Sequence, residues 1–323
     1  MPAPSSALST LRPDLASFEE FNLAMDRAGF IGHRVLPVME VAKQSGTFGK
    51  ITIESLLQAR TTRRAPGTGY NRGTWDFTTD TFATEEHGVE EPIDDNEAAM
   101  YEEYFDMEQV AAMRAFDGVL REAEKRIADA VFNATTFASY TTSITNEWDD
   151  ADNAVPLTDV ETAVQTIWDN TGIWPNALII NRKVFRNLRN VDQVVERIES
   201  SGAGSPTKPT DITAQMLAQC FDLDYILVAG SAKNTANEGQ DASISPIWSD
   251  EYAMVCKIAT SNDIREPCLG RTFHWGADGS SVGGTVETYR DETIRSDVVR
   301  VRHQVQEKIL YAAAGYLLSN ITT

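Results

Sequence analysis

Hydrophobic and polar positions follow two different periods along this chain, and the changes of period mark its parts. Leu15, Phe18, Phe21 and Met25 recur at helical spacing in a short amphipathic segment. Gly29, Gly32 and Pro37 then interrupt regularity, and Val35, Val38 and Val41 suggest an extended path. From about Phe48 to Val89 the pattern becomes strand-like. Ile51 and Ile53 alternate with polar residues, as does Thr74-Trp75-Asp76-Phe77-Thr78, which predicts two strands with one apolar face each. Between them Arg60, Arg63, Arg64 and Arg72 stand in a run rich in turn residues that includes Pro66, Gly67, Gly69 and Gly73. An isolated hairpin is marginal in water, so this excursion needs a neighbour to lie on.

An acidic stretch from Glu85 to Glu108 leads into the longest helical pattern. Asp94 or Asp95 is placed to cap it, and Phe105, Ala112, Phe116, Leu120, Ala123, Ile127 and Val131 step along one stripe. Proline is absent from Ile93 to Ala154, so a helix from about Asp94 to Ala134 is expected. At about 1.5 Å per residue it would be roughly 60 Å long, a structural spine without a sustained heptad. The polar segment from Asn146 to Pro156 reads as a boundary, after which the pattern is compact α/β.

In that lobe a helix starts at Thr158 or Asp159 and stops at Gly172. The strand Ala177–Ile180 and a helix capped by Asn181 follow, then a short helix to Ser200, a loop over 201–209, a helix over 214–220 and the strand Tyr225–Val228. The last third is strand-like: Tyr252–Ile258, Thr272–Trp275, Val286–Tyr289, and Val299, Val301, His303 and Val305 alternating with Arg300, Arg302 and Gln304. The apolar run 312–318 is too short to span a membrane and reads as a buried strand. No internal repeat appears.

Composition changes this picture mainly by exclusion. The 323 residues are 42% apolar and 24% charged, close to globular averages, and carry a net charge of −20. That balance argues against a protein that grips nucleic acid. Lacking a signal-like start or a membrane span, the chain reads as soluble and cytoplasmic. Cys220, Cys256 and Cys268 have neither disulfide nor zinc spacing and read as small buried hydrophobes.

Candidate chemistry is sparse. Gly67-x-Gly69 and Gly73 do not sit between a strand and a helix, as a dinucleotide turn requires. Ser205-x-x-Lys208 lies in a loop rather than at a helix start. His33, His87, His274 and His303 are far apart in sequence, and the sequons at Asn133 and Asn320 carry no meaning without secretion. Glu85-Glu86, Glu90-Glu91 and Asp94-Asp95 read as a solvated face or as partners for basic residues rather than as cation ligands. No catalytic, cofactor or metal site is expected.

The order of arm, extended hairpin, long helix, α/β lobe and returning strands resembles the HK97-like major capsid proteins of tailed bacteriophages along almost the full length. The local likenesses are Thr171-Gly172-Ile173-Trp174-Pro175-Asn176-Ala177-Leu178-Ile179-Ile180, the segment Ile247 to Val255, Tyr289-Arg290-Asp291-Glu292 and Ala314 to Asn320. The resemblance implies an α+β HK97-like fold with an N-terminal arm (1–47), an E-loop (48–92), a peripheral domain with spine helix and linker (93–156), an axial domain (157–261) and peripheral strands with the C-terminus (262–323). It implies self-assembly into pentamers and hexamers of an icosahedral shell, built in the host cytoplasm and enclosing double-stranded DNA without sequence-specific binding. Scaffolding, portal and decoration proteins would be separate partners, and no membrane is involved.

The residues expected at contacts between subunits are Arg60, Arg63, Arg64, Arg72, Trp75 and Phe77 of the E-loop. Glu90, Glu91, Glu102 and Glu103 are the acidic partner candidates on another copy. Some family members cross-link subunits through an E-loop lysine. Here no lysine follows Lys50 until Lys125, so non-covalent overlap is expected. An encapsulin-like nanocompartment shell, or an acidic enzyme, remains as an alternative.

Overall fold

A computed structural model of the chain describes residues 10–11, 29–73, 77–101, 106–200, 211–237 and 239–322, and the structural statements below concern these. The N-terminal half contains β1 (Thr10–Leu11), α1 (Gly32–Val35), β2 (Val38–Glu40), β3 (Ser45–Ile51), α2 (Ile53–Leu57), β4 (Phe77–Ala83), β5 (Glu85–Asp94), α3 (Asp95–Tyr101), α4 (Met107–Val131) and β6 (Thr141–Ser143). The α/β lobe follows with α5 (Pro156–Thr171), β7 (Ala177–Asn181), α6 (Arg182–Leu188), α7 (Asp192–Ser200), α8 (Ala214–Cys220) and β8 (Tyr225–Ala229). The remainder is β9 (Ala232–Asn234), β10 (Ile244–Pro246), β11 (Tyr252–Cys256), β12 (Gly270–His274), β13 (Thr285–Asp291), β14 (Ser296–Ile309) and β15 (Gly315–Ser319).

Local chemistry sets the helix ends. The Asp106 carboxylate accepts from the N–H groups of Glu108 (3.1 Å) and Gln109 (3.3 Å), which starts α4. Pro156 opens α5, where a missing N–H costs nothing, and Gly172 closes it at φ 65°, a left-handed conformation suited to glycine. Asn181 caps α6 through the N–H of Lys183 at 2.7 Å.

Two sheets organise the molecule. In the first, β14 is central: it pairs antiparallel with β13, β5 and β12, and β2 and β1 form the edges. The second runs β6-β15-β11-β7-β8, with β7 parallel to β8 and β11 antiparallel to both its neighbours. Helices α5 to α8 cover one face of this second sheet, around Ile167, Leu178, Ile180, Leu188 and Leu217. Its other face packs on α1 and the C-terminal half of α4 through Val35, Ile127, Val131, Ile179 and Met254. The N-terminal half of α4 lies on the first sheet, where Ala111, Ala112 and Ala115 bring its backbone close to Val286, Val299 and Val301. One helix thus bridges both cores.

Three expectations are corrected. The single helix over about Asp94 to Ala134 is instead α3 and the separately capped α4. The 25 residues of α4 span about 37 Å at about 1.5 Å per residue. The acidic stretch ahead of it, given no element of its own from the sequence, is strand β5. Val89 and Ile93 face inward there, and the arginines of β14 lie opposite the glutamates, so cross-strand pairing overrides weak strand propensity. Ile53 begins a short helix rather than continuing a strand, and Val35 is in α1 rather than extended chain. Within the expected C-terminal unit 262–323 the strands divide between the two sheets. Its last strand, β15, leaves the first sheet and lies between β11 and β6 in the second, because all but the last of its residues are buried apolar or glycine. The segment around Leu15–Met25, residues 74–76, Phe105 and the loop 201–209 lie outside the described residues.

Candidate assembly interface

The hairpin is built from β3 and β4, paired antiparallel from Ser45↔Ala83 to Ile51↔Phe77. Its root is held by three aromatic rings. Phe82 stacks on Phe273 at 5.1 Å between centroids, and Phe48 meets Phe273 at 5.7 Å. Polar contacts lock the same place. Lys308 Nζ donates to Asp80 at 2.5 Å, the Ala83 N–H donates to the Gln306 side chain at 2.8 Å, and Lys50 Nζ donates to the Leu310 carbonyl. The Lys50 ammonium also lies 4.1 Å over the Tyr311 ring. Burial lowers the Lys50 pKa, a shift that Lys308 reinforces and Asp80 opposes. Burial raises that of Asp80, but the Lys308 and Thr81 hydrogen bonds and the two ammonium charges bring it below the usual range.

Outboard of this root, every residue from 57 to 73 is exposed. Order within the loop is local. Thr68 donates through N–H (3.2 Å) and hydroxyl (2.8 Å) to the Ala65 carbonyl, and Asn71 reaches the Thr61 carbonyl at 3.2 Å. Arg64 lies 4.7 Å over the Tyr70 ring, and the Arg60 guanidinium rests against Gly73. Tyr70 is 75% and Phe77 67% exposed, an unusual placement for aromatic rings. Arg60, Arg63, Arg64, Arg72 and Phe77 are therefore all outward on this hairpin, as the sequence suggests. Trp75, Glu102 and Glu103 lie outside the described residues.

Glu90 and Glu91 sit on β5, apart from the arginine loop in sequence and already facing cations of their own chain. Glu90 is 3.6 Å from Arg300, Glu91 is 3.7 Å from Arg114, and Glu86 is 3.8 Å from Arg302. The same two β14 arginines converge on the buried Glu287, joined on one side by Asp278 at 2.5 Å from Arg302. Burial raises the Glu287 pKa, but hydrogen bonds from Arg302 and Arg300 bring it below the usual range.

Three features escaped the sequence. Glu124, in the middle of α4, is buried and accepts from the N–H of Ile31 (2.9 Å), the N–H of Gly32 (2.7 Å) and Trp248 Nε1 (2.6 Å). His87 and His303, distant in sequence, face one another across β5 and β14 with rings 5.9 Å apart. Arg126 lies 3.3 Å from His303 Nε2 and pairs with Glu307 at 2.9 Å. Trp168 and Trp174 form an edge-to-face pair, 6.0 Å between centroids, at the end of α5. The sequence places Trp168 at apolar spacing after Val164, which hides the fact that it and Trp174, beyond the helix end, are each about half exposed.

Among the described residues no group of three or more His, Cys, Asp or Glu side chains is placed to hold a metal ion. No helix among them is long and apolar enough to cross a membrane. A cavity of about 820 Å³ between α3, the start of α4 and β13–β14 is lined by Ile93, Ala98, Met107, Tyr289 and Arg290, the last paired with Asp95 at 2.6 Å. Cys256 and Cys268 are buried and unpaired.

No family model matches the chain. The major capsid protein of Burkholderia phage BcepMu is 26% identical over 309 residues, covering 93% of this chain and 94% of that protein. A crystal structure of a phage-related protein from Bordetella bronchiseptica superposes with a TM-score of 0.68 at 21% identity, over 97% of this chain and 98% of that one. The capsid of cyanophage P-SCSP1u superposes with a TM-score of 0.59 at 10% identity, over 88% and 86%. The chain therefore has the HK97-like capsid fold, and its relatives along nearly the whole length are the major capsid proteins of phages.

Proposed function

We propose that this chain is a non-enzymatic subunit that assembles with copies of itself into a closed icosahedral shell of pentamers and hexamers around double-stranded DNA. One observation carries the reading: a hairpin firmly rooted in the first sheet ends in an exposed loop of arginines and aromatics that its own chain does not cover. Such a surface is completed by a neighbour. The loop's arginines, with Phe77 and Trp75, would meet acidic surface of the next copy, the carboxylates Glu90, Glu91, Glu102 and Glu103 included. Lys50, the lysine of the hairpin root, is held by Leu310 and Tyr311, which supports interlocking by overlap rather than by covalent bonds. In this reading residues 1–47 are the arm, 48–92 the E-loop, 93–156 and 262–314 the peripheral domain, and 157–261 the axial domain, with β15 closing the axial sheet. A net charge of −20 suits a shell that contains DNA without gripping it. The site of assembly would be the host cytoplasm and the final place the virion, with scaffolding, portal and decoration proteins as separate partners.

The test is to express the full chain and a variant with residues 58–73 replaced by a short Gly/Ser linker, then compare them by sedimentation and negative-stain microscopy. The full chain is expected in capsomers and megadalton particles, the variant as a folded monomer. A monodisperse monomer for both would overturn the reading. Particles holding protein cargo and no nucleic acid would replace it with a nanocompartment.

A further inference from the structure

The outward face of α5 carries Glu161, Gln165, Trp168 and Asp169 in one exposed stripe. Trp168 and Trp174 are each 49% exposed, and Leu57, 58% exposed, covers the Gly172 turn between them. Half-bared tryptophans are uncommon outside binding surfaces. Gln165 donates to Glu161 at 3.0 Å, yet among the described residues no Lys or Arg lies within ion-pair distance of Glu161 or Asp169. In this the stripe differs from β5, whose glutamates face Arg300, Arg302 and Arg114 of the same chain.

The chemistry that fits acid beside bare indole is a guanidinium, which pairs with a carboxylate through its edge and stacks on a ring through its face. The loop 58–73 offers four arginines and neither Asp nor Glu. Arg64 stacking on Tyr70 shows the same contact within that loop. Arg63 and Arg72 are exposed and, among the described residues, within ion-pair distance of no carboxylate. No guanidinium of the same chain lies over Trp168 or Trp174 among the described residues, and Leu57 of α2 packs on the Gly172 turn.

We propose that Glu161, Trp168, Asp169 and Trp174 form the seat for Arg63 and Arg72 of the loop of a second copy of this chain. The proposal rests on the shell reading above and names which acidic surface receives the loop. Each subunit would give its loop on one side and receive one on α5, a head-to-tail contact that closes when repeated around a ring.

Two tagged chains of different size, both in a Cys220→Ser background, test it. One carries Arg63→Cys and the other Asp169→Cys. They are co-assembled and oxidised, then resolved on a non-reducing gel. A mixed disulfide dimer between the two tags is the expected product, at least tenfold above that from chains lacking the introduced cysteines. In parallel, Trp168→Ala/Trp174→Ala is expected to lower the assembled fraction at least tenfold while leaving circular dichroism and the melting temperature of the monomer unchanged. Particles that form without the mixed dimer, or that form equally well from the double-alanine chain, would overturn this seat and leave the shell reading intact. Absence of any particle overturns both.

Discussion

Glu124 is the buried carboxylate at which α1, α4 and the Trp248 segment meet. Burial raises its pKa, opposed by the N–H donors of Ile31, Trp248 and Gly32, so a helix residue holds the arm and the Trp248 segment at once. Glu124→Ala leaves three buried donors without an acceptor and is expected to cost about 3 kcal/mol, read as a shift in the urea midpoint. Glu124→Gln keeps the shape and one acceptor and should cost less. Burial also lowers the pKa of His33, His87, His274 and His303, the last to about 3. These rings then bind fewer protons in the folded chain than in the unfolded chain below about pH 6.5, so the stability they contribute above that pH is lost as pH falls, for His303 over the window from about 6.5 toward 3. The loss approaches about 1.4 kcal/mol per pH unit for each histidine that stays neutral. Denaturation at pH 7.5 and 5.5 checks this: the midpoint falls on acidification, and His303→Asn reduces the fall. An unchanged midpoint would show that these rings are not excluded from protonation. None of this was legible in the sequence, because the register of β5 against β14 brings His87 to His303 from more than 200 positions away.

At the scale of elements, the most readable parts were those whose own residues set them. Helix α5, with its glycine stop, and α6, with its Asn181 cap, follow from local chemistry, and so do the apolar strands β7, β8 and β11. What the sequence did not show was β5, an acidic run held as a strand by the inward-facing Val89 and Ile93 and by Arg300 and Arg302 of β14 beside Glu90 and Glu86. The start of α4 at Asp106 was likewise hidden behind carboxylates that would serve equally well as first-turn residues of a longer helix. Asp106→Ala is expected to destabilise α4 by about 1 kcal/mol in thermal unfolding. The hairpin was visible in its alternation and its basic tip, whereas its root was not, since Phe273 and Lys308 come from distant strands. Phe82→Ala should loosen that root by about 2 kcal/mol, read as roughly 30-fold faster hydrogen exchange of β3 and β4 amides with β7 and β11 unaffected.

The whole molecule joins a bridging helix and two sheets to an outboard loop whose residues 57–73 are all exposed. The sequence suggests a need for a neighbour through the basic hairpin tip and proposes Glu90, Glu91, Glu102 and Glu103 as acidic partners; of these, Glu90 and Glu91 also lie near the in-chain Arg300 and Arg114. Contacts between guanidinium groups and carboxylates at exposed sites weaken with salt, so assembly should be less complete at 1 M than at 0.15 M sodium chloride, where screening lengths are about 3 and 8 Å. The most direct measurement is a cryo-electron microscopy reconstruction of particles formed by the full chain. The account predicts five- and six-fold clusters in which density for residues 58–73 crosses onto the α5 face of the adjacent subunit. A loop folded back on its own α/β lobe, with neighbours meeting elsewhere, would contradict it.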